Sequence, residues 1–210
     1  TPIMGCGRTD AGVHAKEFYA HFDSDDLGMT TDKLVYKLNS ILHLNIAIHD
    51  VLMVKADAHT RFNATKRSYQ YLITTKKDPF LNNLAYRYNS DLDLNRMNNA
   101  CQLLLGKQDF GCFCKVRSDN KTNICHVSQA VWSKEGNLIR FNISADRFLR
   151  NMVRAIVGTI LDIGTGKTSL EDLKTILASG NRTEAGRSVP AHGLYLTAVE
   201  YPTEIFTEKP

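Results

Sequence analysis

The 210-residue sequence lacks any apolar run approaching the roughly 20 residues that a membrane-spanning helix needs. Its start is neither a basic n-region nor an apolar h-region. These two absences predict a soluble, cytoplasmic protein with no membrane attachment. Cysteine is scarce and odd in number: Cys6, Cys101, Cys112, Cys114 and Cys125 form no disulfide framework of the kind small secreted domains use, so the thiols read as reduced. Cys112-x-Cys114 followed by Cys125-His126 offers four zinc-ligating residue types, but without a two-residue knuckle. Core thiols are therefore the expectation and no metal is assigned. There is one tryptophan, Trp132, and no exact internal repeat.

What the chain does have is enough apolar content, 43%, to bury a core in one domain or two small ones. The formal charge is +4, unevenly spread. Residues 1–60 carry five Lys/Arg against eight Asp/Glu, and residues 61–210 carry 21 against 14. A basic later part fits a polyanionic partner docking there, with an acidic reacting group supplied by the earlier part. The plain alternative is a solvated surface.

The most informative stretch is Gly7-Arg8-Thr9-Asp10-Ala11-Gly12-Val13-His14-Ala15. Glycines at 5, 7 and 12 let the backbone turn tightly and approach a ligand. Arg8, two residues from Asp10, favours the ionised carboxylate. That combination suits a nucleophile or base; the competing reading is a turn in which Asp10 bonds its own backbone. No second carboxylate stands beside Asp10 to hold magnesium, which weakens an aspartyl-phosphate hydrolase.

Hydrophobic periodicity places the remaining elements. Phe18, Ala20 and Phe22 alternate as a strand would, Thr31 or Asp32 caps a helix carrying Leu34, Val35, Leu38, Ile41 and Leu42, and Ile46 to Val54 returns to strand character. Arg67 to Thr75 reads as a strand with Tyr69, Tyr71 and Ile73 on one face. Asp93 caps a helix ended by Gly106. Val127 to Trp132 and Leu138 to Ala145 form a hairpin about Glu135-Gly136-Asn137. Phe148 to Ile163 is a strongly amphipathic helix whose basic face carries Arg147, Arg150 and Arg154. Thr168-Ser169-Leu170-Glu171 reads as a capping box for a shorter helix ending near Gly180; 181–193 is loop and Leu194 to Tyr201 a last strand. Strands backed by helices in two halves give an α+β architecture with largely antiparallel sheets.

The nine-residue string resembles the signature of the TruA family of tRNA pseudouridine synthases, and the chain is identified as a member. The resemblance extends through Ala58-His59-Thr60-Arg61-Phe62-Asn63-Ala64-Thr65, Arg67-x-Tyr69-x-Tyr71 and Leu104-Leu105-Gly106-Lys107-Gln108-Asp109-Phe110. It continues through Phe148, Met152-Val153-Arg154-x-Ile156-Val157-Gly158 and Gly193-Leu194-Tyr195-Leu196, ending at Tyr201-Pro202. It implies the pseudouridine synthase fold: two ferredoxin-like (RRM-like) subdomains, a largely antiparallel mixed sheet and a central cleft. The halves are expected at 1–57, carrying the aspartate loop, and 58–202, with 203–210 a tail. The family opens with a strand and a Gly-Trp-Gln segment that this sequence does not contain, so an N-terminal piece and one strand of the first sheet are expected to precede Thr1 in the natural protein.

The resemblance implies an isomerase acting at tRNA positions thirty-eight to forty of the anticodon arm, working as a homodimer without metal or other cofactor. It casts Asp10 as the catalytic nucleophile, Arg154 as the group holding it ionised and oriented, and Tyr69 as the ring that stacks on the target base. Arg8 has two open jobs, filling the gap left by an extruded nucleotide or binding a neighbouring phosphate. Arg147 and Arg150 suit phosphates, as do Lys66 and Arg67. Lys76, Lys77, Lys115, Arg117 and Lys121 join them as backbone contacts, with solvated surface as the alternative. Phe148 and Leu196 line the uracil pocket or the core beneath it. His14 and His59 receive no catalytic role, and Tyr71 reads as packing. Two other readings stay open: a relative modifying other tRNA positions, and a non-catalytic RNA-binding factor.

Overall fold

The computed structural model describes residues 1–116, 118 and 120–207. Arg117, a candidate phosphate contact, and the last three residues of the 203–210 tail lie outside the described residues. In chain order the strands are β1 (Met4–Gly5), β2 (His14–Ala15), β3 (Ala20–His21), β4 (Lys66–Thr74), β5 (Tyr86–Arg87), β6 (Gly106–Asp109), β7 (Ile124–Glu135), β8 (Leu138–Ala145) and β9 (Leu194–Glu200). The helices are α1 (Thr31–Ile41), α2 (Leu94–Gln102), α3 (Met152–Gly164) and α4 (Leu170–Ser179). Among the described residues no helix is long and apolar enough to cross a membrane.

The chain divides into two units. The smaller comprises Thr1–Gly7, Tyr19–Ala64 and the described residues from Tyr201. Its β1 and β3 pair antiparallel, Met4 opposite His21, and Tyr19 packs edge-on against Tyr201 at 5.0 Å. The expected strand across Phe18 to Phe22 shrinks to the two residues of β3. Helix α1 is capped by Thr30, one residue before the expected cap, whose hydroxyl accepts from Lys33 N. The strand expected over Ile46 to Val54 does not form. A strand exists only where a neighbour takes its amides, and among the described residues this segment has one isolated bridge, Val54 to Phe206. Instead the Asn39 side-chain amide serves Ile48 on both sides, donating to its carbonyl and accepting from its N–H, each at 2.7 Å.

The larger unit, Arg8–Phe18 with Thr65–Glu200, holds a seven-stranded sheet in the order β2-β9-β4-β8-β7-β6, with β5 also on β4. The aspartate loop belongs to this unit because β2 adds to the sheet edge beside β9. β2–β9 and β4–β5 run parallel and the other pairs antiparallel, so the α+β fold with a largely antiparallel mixed sheet is as the sequence implied. Alternation along β4 buries Tyr71 and Ile73, and along β8 Ile139, Phe141 and Ile143, all under the cover of Met97, Leu104, Met152, Ile156 and Ile160. A one-residue slip in a strand turns its apolar set to solvent. In β7 a bulge between Val127 and Gln129 prevents that: Ser128 and Gln129 both face outward, after which Ala130 and Trp132 return to the core.

Three further expectations shift. Helix α3 begins at Met152 rather than Phe148, because Asn151 adopts left-handed backbone (φ 67) that cannot continue a helix. Arg147 and Arg150 therefore lie in the connector before α3, not on its face with Arg154. The capping box of α4 uses the pair one residue later, Ser169 with Asp172, each side chain bonding the other's backbone N–H. That bonding lowers the Asp172 carboxyl pKa below its ordinary value.

Candidate active site

The loop carrying Asp10 is tied at both sides. Val13 N donates to the Asp10 carbonyl at 3.1 Å, closing a turn that Gly12 passes with φ +83. Beyond it, β2 sets His14 beside Tyr195 and Ala15 beside Leu196, and Lys16 N donates to Leu196 O at 2.8 Å. The His14 ring stacks on Tyr195 at 4.6 Å with Nε2 3.1 Å from Asn83 O, while the Tyr195 hydroxyl donates to Leu84 O at 2.6 Å. The Asp10 side chain emerges 29% exposed, against Arg154, 20% exposed.

Arg154, in the first turn of α3, donates from Nη1 to Asp10 Oδ2 at 2.6 Å. Its Nε donates to Val189 O at 2.7 Å, and Val189 N returns a bond to Arg154 O at 3.2 Å. The guanidinium is thus oriented from behind by a backbone carbonyl and presented to one carboxylate oxygen. Among the described residues the other oxygen, Oδ1, accepts no hydrogen bond.

Residue 189 can come this close because the loop leading to it lies directly on α3. A Cβ on Gly158 would sit 1.7 Å from Arg187 O, and one on Gly186 would sit 2.8 Å from Thr159 N. Two glycines, one from each side, make the contact, and the buried Thr159 hydroxyl accepts from Gly186 N at 2.9 Å. Arg182 holds the same loop from within, donating to Ala185 O at 3.2 Å, Gly186 O at 3.1 Å and Ser188 Oγ at 3.0 Å. Asn151 Nδ2 donates to Ser188 Oγ at 2.6 Å.

Tyr69 stands on β4 opposite Leu196 of β9 and Ile143 of β8, its ring edge-on to Phe148 at 5.1 Å. Leu196 is buried and Phe148 half-buried. Tyr71, two residues on, is fully buried and donates to Pro190 O at 2.8 Å; burial raises its hydroxyl pKa far above the usual phenol range. It is a fixed neutral donor under the loop. Beside Asp10 and Arg154 opens a cavity of about 550 Å³, also lined by Lys115, Val116, Asn151, Arg182 and Ser188.

The remaining basic candidates spread outside that cavity. Arg8 is exposed; Lys66 pairs with Glu200 at 2.9 Å, and Arg67 Nη1 donates to Asp146 O at 3.2 Å. Arg150 is exposed and Arg147 half-buried, while Lys76, Lys77 and Lys121 are exposed. The structure thus brings Asp10 and Arg154 into contact and seats Tyr69 against Phe148. Arg182, Asn151 and Ser188 escaped the sequence reading. For Arg182 and Ser188 the one signal was length: 181–193 is a long irregular connection in a compact unit, a place where binding loops are common; Asn151, just before α3, had none. All five cysteines are buried, and burial pushes the Cys101, Cys112 and Cys125 thiols up to about 12.

Comparison with known proteins adds to this geometry. A family model described as tRNA pseudouridine synthase matches residues 100–202, the part holding Arg154, Arg182 and β9. Three relatives named tRNA pseudouridine synthase A align over nearly the whole chain. That of Bacteroides fragilis is 49% identical over 98% of this chain and 82% of its own length; that of Parabacteroides distasonis is 47% identical over 98% and 81%. The Bacillus subtilis protein is 36% identical over 95% and 81%.

Proposed function

Because the chain belongs to the tRNA pseudouridine synthase family, we propose that it isomerises uridine to pseudouridine in transfer RNA, at positions thirty-eight to forty of the anticodon arm. The observation that carries the reading is the Asp10–Arg154 pair: a carboxylate on a tight loop, held through one oxygen by an arginine that a backbone carbonyl orients. The reaction breaks the bond from uracil N1 to ribose C1′, turns the base and joins C5 to C1′. N1 gains a proton and C5 loses one. Asp10, with Oδ1 uncommitted, is the reacting carboxylate. Arg154 keeps it aimed, and the Tyr69 ring stacks on the displaced uracil.

Arg8, Lys66, Arg67, Arg147 and Arg150 contact the phosphate backbone in this reading. Shape and backbone contacts then outweigh base identity in selecting the site, since side chains do not reach the base edges in the deep, narrow major groove of A-form RNA. The enzyme acts as a homodimer in the cytoplasm. The test is release of tritium from tRNA labelled at uracil C5. Release that requires Asp10 supports the proposal, and retention of the label by the wild-type chain refutes it. Sequencing of the modified tRNA for pseudouridine then checks the positions.

A further inference from the structure

We infer that the cavity beside Asp10 is a phosphodiester subsite, in which Arg182 and Lys115 grip a backbone phosphate next to the target uridine; this rests on the function proposed above. The charge balance of the cavity motivates it. Among the described residues, three cationic side chains and one carboxylate line the space. Arg154 is neutralised by Asp10. Arg182 bonds only neutral oxygens, two carbonyls and a hydroxyl, and among the described residues neither it nor Lys115 forms an ion pair. Two cations facing a partly enclosed space without a counter-charge repel each other until an anion arrives.

The two cations are also built in. Three hydrogen bonds fix the Arg182 guanidinium against the loop, so its plane loses little freedom on meeting a ligand. Lys115 is anchored through its backbone, N to Arg150 O at 2.9 Å, at the entry to α3, and only its side chain is free to close. Asn151 and Ser188 add neutral polar groups to the lining.

The geometry also separates base from phosphate. Tyr69, Phe148 and Leu196, the surfaces suited to uracil, do not line this cavity, whereas the polar and cationic groups do. An anion held here would lie within the same small space as the Asp10 carboxylate and fix the nucleotide's backbone relative to it. With three of its five N–H donors given to the loop, Arg182 keeps two for an anion, and the mobile Lys115 ammonium adds a point charge suited to a phosphodiester.

The experiment is ethylation interference on intact tRNA. Phosphates are neutralised at random by ethylnitrosourea, and the bound and unbound pools are compared. Wild-type protein should lose binding about tenfold when a phosphate flanking the target uridine is ethylated. With Lys115→Gln and with Arg182→Gln, that one position should drop out of the map while the others persist, and the slope of log affinity against log salt should fall by about one per lost contact. An unchanged map for Lys115→Gln, or loss of interference only at distant phosphates, overturns the subsite; because Lys115 is exposed, this variant decides the matter even if Arg182→Gln fails to fold. The tritium assay separates the two claims: wild-type turnover with an unchanged map refutes only the subsite, while absent turnover refutes the function beneath it.

Discussion

Gly158→Ala sets two well-measured effects against each other. In the interior of a solvent-facing helix this change stabilises by about 1 kcal/mol, because glycine gives up more backbone freedom on folding. Here the new Cβ would lie 1.7 Å from Arg187 O and 2.9 Å from Arg187 C, and contacts below 3.0 Å essentially do not occur. The obstacle is backbone, so no rotamer change relieves it; the loop must retreat by more than an ångström. Overpacking costs about 1–3 kcal/mol, and a clash this deep belongs at the upper end, leaving a net destabilisation of about 2 kcal/mol. The retreat also moves Val189, two residues on, whose carbonyl aims Arg154. A misplacement of about 1 Å in a reacting constellation costs on the order of 100-fold in rate. Urea unfolding and the tritium-release assay read the two consequences separately. A variant as stable as the parent, or more so, would show that helix propensity wins and that the loop does not rest on α3.

Asp10→Asn is expected to abolish tritium release while leaving tRNA affinity nearly unchanged in a filter-binding assay; normal turnover would remove Asp10 from its role. For the ion pair itself, a double-mutant cycle of Asp10→Asn and Arg154→Gln, followed by urea unfolding, should give a coupling of about 1–3 kcal/mol, between the values for exposed and for buried pairs because the two side chains are 29% and 20% exposed. Coupling below about 0.3 kcal/mol would mean the pair adds nothing to stability and would refute this expectation. The thiols supply a pH test. Burial raises Cys101, Cys112 and Cys125 from 9.0 to about 12, so their contribution to stability is whole below pH 9 and falls as pH climbs from 9 toward 12. The urea midpoint should drop across that window, and Ellman's reagent at pH 8 should label these thiols only after unfolding; rapid labelling of the native protein would contradict the burial.

The Asp10 loop stood out in the sequence because its candidate chemistry is local: glycines, an arginine and an aspartate within nine residues. Its partner did not, since Arg154 is 144 positions away and only the resemblance connected them. Element errors had local causes too. Apolar Phe148 and Leu149 continue the pattern of α3 backward, and nothing in the pattern reports that Asn151 turns left-handed. Thr168-x-x-Glu171 and Ser169-x-x-Asp172 both fit a capping box, and spacing alone does not choose between them. Ile46 to Val54 has strand composition, yet composition does not provide a neighbour to pair with. The loop from 181 to 193 carried no periodicity at all, which is why Arg182 and Ser188 went unseen although they line the cavity.

The use of a carbonyl behind Arg154 has an electrostatic consequence. A second carboxylate there would orient the guanidinium equally well, but it would also share the positive charge and weaken its hold on Asp10. Two unit charges about 4 Å apart interact by about 4 kcal/mol at an effective dielectric constant of 20, so a competing anion in that position would offset much of the attraction. Val189 O supplies direction with only a dipole. The positive charge of Arg154 is then spent on one oxygen of Asp10, a residue that lines the cavity, and among the described residues Lys115 and Arg182 beside it form no ion pair. Orientation of Arg154 comes from neutral backbone, an arrangement that depends on two glycines letting the loop lie against the helix.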